Sequence, residues 1–539
     1  MGRPVRAGRV RWTGAFHMIF SSRPSDLGLR SSARCCIVLA LAGCAVGPNF
    51  HRPQAPKDAG YTTAALPGKT TATPGPSGEA QQFVMGQDVD YQWWEAFDSP
   101  GINSLVERAF RVNPSVRAAQ AALRQAQEMV YAQQGYFWPS VGADYNFERQ
   151  KLPGNTATTV APGVQGNGQV LVPSGPAQPL IYNFQTAQLT VGFVPDVFGE
   201  NRRKVESLDA QAQNQRFELE ATYISLASNV VAAAIREAST RAQLKATQEI
   251  IAHNEKSVAI LSDKFEHGYA SAVDLATQQL QLAQAKAQLP PLQKQFEQNR
   301  DLIRELVGNL PDQDVSETFE LSSLKLPKEL PLSLPSKIIE QRPDIRAAEE
   351  TLRSANANVG AAIAAMLPQF TITATAGGTA SQFSQLFAKG GPFWSLIGDA
   401  SQPIFEGGTL WHTKRAADQA LKQAAAQYQN TVLQAYQNVA DTLHAVVTDA
   451  DALAAAAEAE RAAKTAMDLA QKRLDNGYGD YLTELAAAMV YQQAVLTEVQ
   501  ARATRLGDSA ALYQALGGGW WNRKTGPLTG QSNAADAGR

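Results

Sequence analysis

Two periods alternate along the chain. Val141, Ala143, Tyr145 and Phe147 alternate with Gly142, Asp144, Asn146 and Glu148, and Phe370, Ile372, Ala374 and Ala376 alternate with Gln369, Thr371, Thr373 and Thr375. A period of two predicts half-buried strands, or barrel strands with one face in lipid and the other in water. Return strands are expected at 187–193, where alternation is good, and at 393–404, where it is poor. Elsewhere the period lengthens to that of a helix, as at Ile224, Ala227, Val231 and Ala234, and again at Ala463, Met467, Ala470 and Leu474. Long helices are expected over 201–266 and 409–476, which contain no Pro, and each would reach about 100 Å. A globular domain has no use for that length, whereas a coiled coil or a duct does. The following helix, 270–306, carries Pro290-Pro291 and is expected to kink or break there.

The same grammar is written twice. The run Asn113-Pro114-Ser115-Val116-Arg117-Ala118-Ala119 aligns with Arg342-Pro343-Asp344-Ile345-Arg346-Ala347-Ala348 at an offset of 229, as does Pro139 with Pro368. Phe265-Glu266-His267-Gly268-Tyr269 aligns with Leu474-Asp475-Asn476-Gly477-Tyr478 at an offset of 209. The 20 residues lost between these anchors match the Pro/Gly-rich stretch 151–179, where an insertion reads as a surface loop. Each copy therefore runs as helix, strand, loop, strand, very long helix, Gly turn and second long helix. The expected units are repeat 1 at 91–310 (hairpin 140–193, long helices 201–310) and repeat 2 at 337–521 (hairpin 369–404, long helices 409–516), with a connector at 311–336.

Composition changes this picture chiefly at the ends. Residues 1–43 hold seven Arg and one Asp, then an apolar run that closes on Leu41-Ala42-Gly43-Cys44. That is a signal peptide, starting at Met1 or Met18, ended by a lipobox. Cys44 would then carry N-acyl and S-diacylglycerol lipid, and the absence of Asp at Ala45 points to the outer membrane. Cys35 and Cys36 leave with the signal, so the mature chain has no thiol for redox or metal chemistry. Its formal charge falls from −2 to −8, which gives nucleic acid no purchase. Residues 44–90 read as an extended lipidated linker, with order starting near Tyr91, and 522–539 as a disordered tail. No stretch nears ~20 consecutive apolar residues, so no membrane-spanning helix is expected. The five mature His are dispersed and no nucleotide or nucleophile motif stands out. No enzyme, catalytic residue, metal site or cofactor beyond the covalent lipid is expected.

The lipobox is followed by Val46-Gly47-Pro48-Asn49-Phe50-His51-Arg52-Pro53, and later by Pro195-Asp196-Val197-Phe198-Gly199, Gln402-Pro403-Ile404-Phe405-Glu406-Gly407-Gly408 and Leu516-Gly517-Gly518-Gly519-Trp520. With the Arg342-Pro343 run, this ordered set resembles the TolC-like outer-membrane factor family, in its NodT/OprM-type lipoprotein branch, over essentially the whole mature chain. The resemblance implies an α+β membrane protein whose duplicated strand-pair and long-helix repeat closes, as a homotrimer, into a 12-stranded transmembrane β-barrel. A periplasmic α-helical barrel with an equatorial belt would continue it. It also implies a passive exit duct in the outer membrane for small molecules such as drugs. The partners implied are a periplasmic adaptor (membrane fusion protein) and a proton-driven inner-membrane transporter of the RND type. Two other readings stay open: a type I protein-secretion duct of the same architecture, and a pore-less trimeric coiled-coil lipoprotein.

Within that resemblance, the turns at Gly268 and Gly477 mark the periplasmic tip, and acids just past the second glycine ring the aperture. Here Thr483 and Ala486 stand where an Asp is common. Asp480 and Glu484, with Asp274 in copy one, are the expected aperture residues. Plain helix-start acids are the alternative, since acids are favoured near helix N-termini.

Overall fold

A computed structural model describes residues 45–54, 60–152 and 180–523, and Cys44, the signal segment and most of the 151–179 loop lie outside these. In chain order the elements are β1 (Gln82–Met85), α1 (Pro100–Val112), α2 (Pro114–Gln134), β2 (Ser140–Leu152), β3 (Leu180–Phe193), α3 (Glu200–Glu266), α4 (Ala272–Leu306), β4 (Glu329–Leu332), α5 (Pro335–Gln341), α6 (Pro343–Ala364), β5 (Gln369–Ala380), β6 (Pro392–Ser401), α7 (Thr409–Asp475) and α8 (Tyr481–Ala515). The duplication holds to the residue. Both ends of α7 and of α8 lie 209 positions after the ends of α3 and α4, and α6 and β5 start 229 after α2 and β2.

The two hairpins merge into one antiparallel sheet of order β2-β3-β5-β6, in which Val141 faces Val191, Val191 faces Ala374 and Ala374 faces Leu396. β3 is twice the expected length. Its pairing with β2 runs on to Leu152 and Leu180, past Gln185, where its pairing with β5 ends at Ala380. β6 stops at Ser401, three residues short of expectation.

Long helices α3 and α7 each fold back on a partner, α4 and α8, and the two hairpins also meet along α3 and α8. Small buried residues such as Ala227, Ala234 and Ala238 allow close helix approach. One core gathers mid-way along them, where Trp93, Phe97 and Leu105 pack with Val231, Ile303, Leu330, Ile338 and Leu506. A two-stranded parallel sheet of β1 and β4 belts this level.

Three expectations are corrected. The stretch 44–90 is no free linker: among its described residues, Val46 N donates to Phe198 O at 3.1 Å, and β1 pairs with β4. A Pro- and Gly-rich segment builds no core of its own, but distant donors hold its carbonyls. Arg203 reaches Val46 O (3.0 Å) and Gly47 O (3.2 Å), Asn356 reaches Pro48 O (2.9 Å), and buried Arg505 reaches Ser77 O (3.0 Å) and Glu79 O (2.8 Å). Second, α4 does not break at Pro290 and Pro291 but runs through both as one helix. Both prolines and the Lys286 and Ala287 positions one turn back are exposed, so water can take the carbonyls left without a donor. Third, the tail does not begin at 522. Trp520–Asn522 forms a 3-10 turn, Asn522 Nδ2 donates to Val89 O (2.7 Å), and Arg523 pairs with Glu220 while stacking on Tyr91 and Tyr223.

Candidate functional site

The sheet separates two chemistries. Directly paired residues share a face, so Val141, Ala143 and Tyr145 lie with Leu189, Val191, Ile372, Ala374, Trp394 and Leu396. Most of these are widely exposed: Val141 70 %, Leu189 55 %, Trp394 80 %. The other face presents Asp144, Asn146, Gln188, Thr190, Thr373, Thr375, Ser395 and Asp399. A naked apolar face of this extent is unstable in water but suits hydrocarbon, while the polar face suits a wet lumen. Among the described residues no helix is long and apolar enough to cross a membrane. The edges of the sheet, β2 and β6, have no partner within the described residues. Such open edges are intolerable in lipid unless further strands close them.

At the foot of the sheet the Pro-Asp-Val-Phe-Gly run starts the long helix. Asp196 accepts from the backbone N–H groups of Asn201 (2.8 Å) and Arg202 (2.9 Å), which lack helical partners. Gly199, at φ +78°, makes room for Ala45, which an added Cβ would approach to 2.7 Å.

The far tips are built alike in both copies. Gly268 and Gly477 both take φ +77°, and the next residue closes the helix end, Tyr269 N to Lys264 O at 2.7 Å and Tyr478 N to Arg473 O at 2.9 Å. Each return helix then opens on a carboxylate–hydroxyl pair whose order is inverted between copies. Ser271 and Asp274 form a capping box in α4, with the Ser271 hydroxyl donating to Asp274 Oδ2 at 2.7 Å. In α8 the acid comes first: Thr483 N and Thr483 Oγ1 donate to Asp480 at 2.7 Å and 2.6 Å. The Thr483 hydroxyl, then its backbone N–H, holds the Asp480 carboxyl below the usual carboxylate range.

Glu484 departs from its expected place. It sits on the packed stripe of α8 with Leu485 and Ala488, only 2 % exposed, and its Oε1 lies 3.4 Å from His253 Nε2 on α3. Beside it Tyr481 Oη donates to Ser257 O at 3.2 Å. Thus Asp274 and Asp480 stay at the turn end of the hairpins, whereas Glu484 is buried between one hairpin and the other, beside His253. His253, Ser257 and Tyr481 were not legible as tip residues, because their partners lie over 220 positions away in sequence.

A protein-family model described as outer membrane efflux protein matches residues 105–309 and 334–518. The second match starts 229 and ends 209 positions after the first, so it follows the two structural copies. The toluene efflux pump outer membrane protein TtgC of Pseudomonas putida is 29% identical over 504 residues, covering 92% of this chain and 95% of that protein. The pyoverdine export outer membrane protein OpmQ of Pseudomonas putida is 27% identical over 432 residues, covering 80% and 88%. Among solved structures, the outer-membrane channel OprN superposes with a TM-score of 0.75 at 25% identity, covering 88% of this chain and 100% of that one. The CmeC outer membrane channel of Campylobacter jejuni gives 0.77 at 21% identity, covering 89% and 96%.

Proposed function

The chain belongs to the outer membrane efflux protein family, and from that premise we propose that three copies form a passive exit duct for small molecules, lipidated at Cys44. The observation that carries this reading is the four-stranded sheet with one apolar face, one polar face and two open edges. Three such sheets close edge to edge into twelve strands, and the polar faces then line water. Helices about 100 Å long carry the duct into the periplasm. The family is one of ducts rather than enzymes, so the driving force comes from a periplasmic adaptor and an inner-membrane transporter of the RND type. Cargo of the solvent or antibiotic kind fits the names of the relatives. The pore-less coiled coil is disfavoured because it leaves the amphipathic sheet without a use.

Lipidation is supported by the clamp of residues 45–49 at the sheet's foot, which holds the chain next to Cys44 near the membrane level. Asp274 and Asp480 are proposed to ring the periplasmic aperture, six carboxylates per trimer, disfavouring anions. Planar-bilayer recordings test the duct: stepwise, cation-preferring conductance is expected, and no conductance from folded trimers would sink the reading. Comparing drug susceptibility with protein secretion in a deletion strain separates a drug duct from a secretion duct. A Cys44→Ala chain is expected to insert and trimerise more slowly; a fully soluble product would show the lipid to be indispensable.

A further inference from the structure

The turn joining β5 to β6, residues 381–391, lies down on the sheet's apolar face. An added Cβ at Gly378 would stand 2.0 Å from Leu386 O, so the turn's backbone crosses that face at close range. The Phe383 ring meets Tyr145 of β2 edge-on, with centroids 6.0 Å apart. Leu386, closed in between, is only 1 % exposed. The turn is also tied to itself and to β5: Gly391 N donates to Ala388 O and Thr379 N to Gly391 O, both at 2.9 Å.

Beneath the turn a groove of about 380 Å³ remains, with Ala143, Ala187 and Ala376 along its floor and Tyr145, Leu189 and Phe387 at its sides. Phe383 and Phe387 nevertheless stay 69 % and 70 % exposed. In water that arrangement is costly, since two rings are turned outward beside an unfilled apolar channel. In hydrocarbon neither is costly, and the groove is continuous with the membrane-facing surface, so the molecule at hand to fill it is a lipid chain. Lys389, exposed, is the one charged residue of the turn and favours an anionic head group.

We propose that the β5–β6 turn and the sheet below it form a lipid clamp that holds one acyl chain of an anionic lipid of the surrounding membrane. The proposal rests on the reading that the apolar face meets the membrane. It is tested by titrating delipidated full-length protein in detergent with dipalmitoyl phosphatidylglycerol and counting bound lipid by native mass spectrometry. Saturable binding of one lipid per chain is expected. Ala376→Phe, which fills the groove, and Phe387→Ser, which removes a wall, are each expected to weaken binding at least about fivefold, the worth of one or two methylene contacts. Affinity unchanged in the variants, or non-saturable binding to the wild type, overturns the clamp. If Ala376→Phe does not fold, Phe387→Ser decides alone, because it alters only an exposed turn. Flotation with phosphatidylglycerol vesicles is run beside it: a wild type that does not float refutes the membrane reading itself, whereas floating variants with undiminished lipid binding refute the clamp alone.

Discussion

Asp449 of α7 faces Asp508 of α8, and among the described residues no donor reaches the buried Asp449 Oδ2. Burial, and then the facing carboxyl, pushes Asp449 up from 3.8 to about 7, while nearby Arg505 pulls the other way. A carboxyl raised in the folded state contributes stability that is fully present below its unfolded value and is lost as pH rises through its folded value. The contribution of Asp449 to stability should therefore fall between pH 4 and 8, so Asp449→Asn, which mimics the protonated form, should gain melting temperature relative to the wild type as pH rises over that range. A melting-temperature difference that does not change with pH would rule out the raised Asp449 carboxyl. Arg505 itself is fully buried and holds the segment around residues 70–79 through Thr70 Oγ1, Ser77 O and Glu79 O. Arg505→Met strands those acceptors and should cost about 2–4 kcal/mol, read as a lower melting temperature and earlier proteolysis near residue 77. Such long-range bonds were not legible in the sequence. A lipobox is contiguous and can be read directly, but nothing in residues 70–79 reveals that their donor lies in α8.

At the scale of elements, the strands could be read wherever their two faces meet different media. Val141 to Phe147 alternate because one side is apolar and the other polar. The first half of β3 was missed for the converse reason. Beyond Phe147 and Gln185 the pattern reverses, with Arg149, Lys151 and Asn183 on the formerly apolar side and Tyr182 and Phe184 on the other. A hairpin that rises clear of hydrocarbon has no need of an apolar side, so its sequence loses the period. The poor alternation of β6 has a plainer cause: Phe393 and Ile397 fall on the polar face. The two faces are predicted to respond oppositely to charge. Ala374→Arg, mid-strand on the apolar side, should destabilise the inserted state by about 2–4 kcal/mol. Thr373→Arg, its neighbour on the polar side, should insert normally and shift the conductance toward anions. Vesicle insertion yields and reversal potentials check both, and indifference to the Ala374 change would mean that this face does not meet lipid.

For the whole molecule, a single chain is an incomplete object: among the described residues its membrane-type sheet has four strands and two open edges, and the core gathers at mid-height. That incompleteness was legible as soon as the chain was seen to repeat itself. What could not be read was the strapping-down of residues 45–54 and 60–90, because composition reports what a segment can do alone and not what holds it. The 20-residue difference between copies falls entirely on the sheet side, between Pro139 and Glu200 in one and Pro368 and Thr409 in the other. From the start of α3 and α7 to the ends of α4 and α8, no length differs at all. From Pro139 and Pro368 onward the two copies thus differ in length only at the outward end and agree to the residue at the inward end. One residue added to α7 alone would turn everything beyond it by about 100° and lower its tip by about 1.5 Å relative to its twin. A short epitope inserted between β2 and β3 should leave drug efflux intact, whereas one added residue in α7 should abolish it. The inward tips behave as six legs cut to one length, and a partner meeting them needs a level floor.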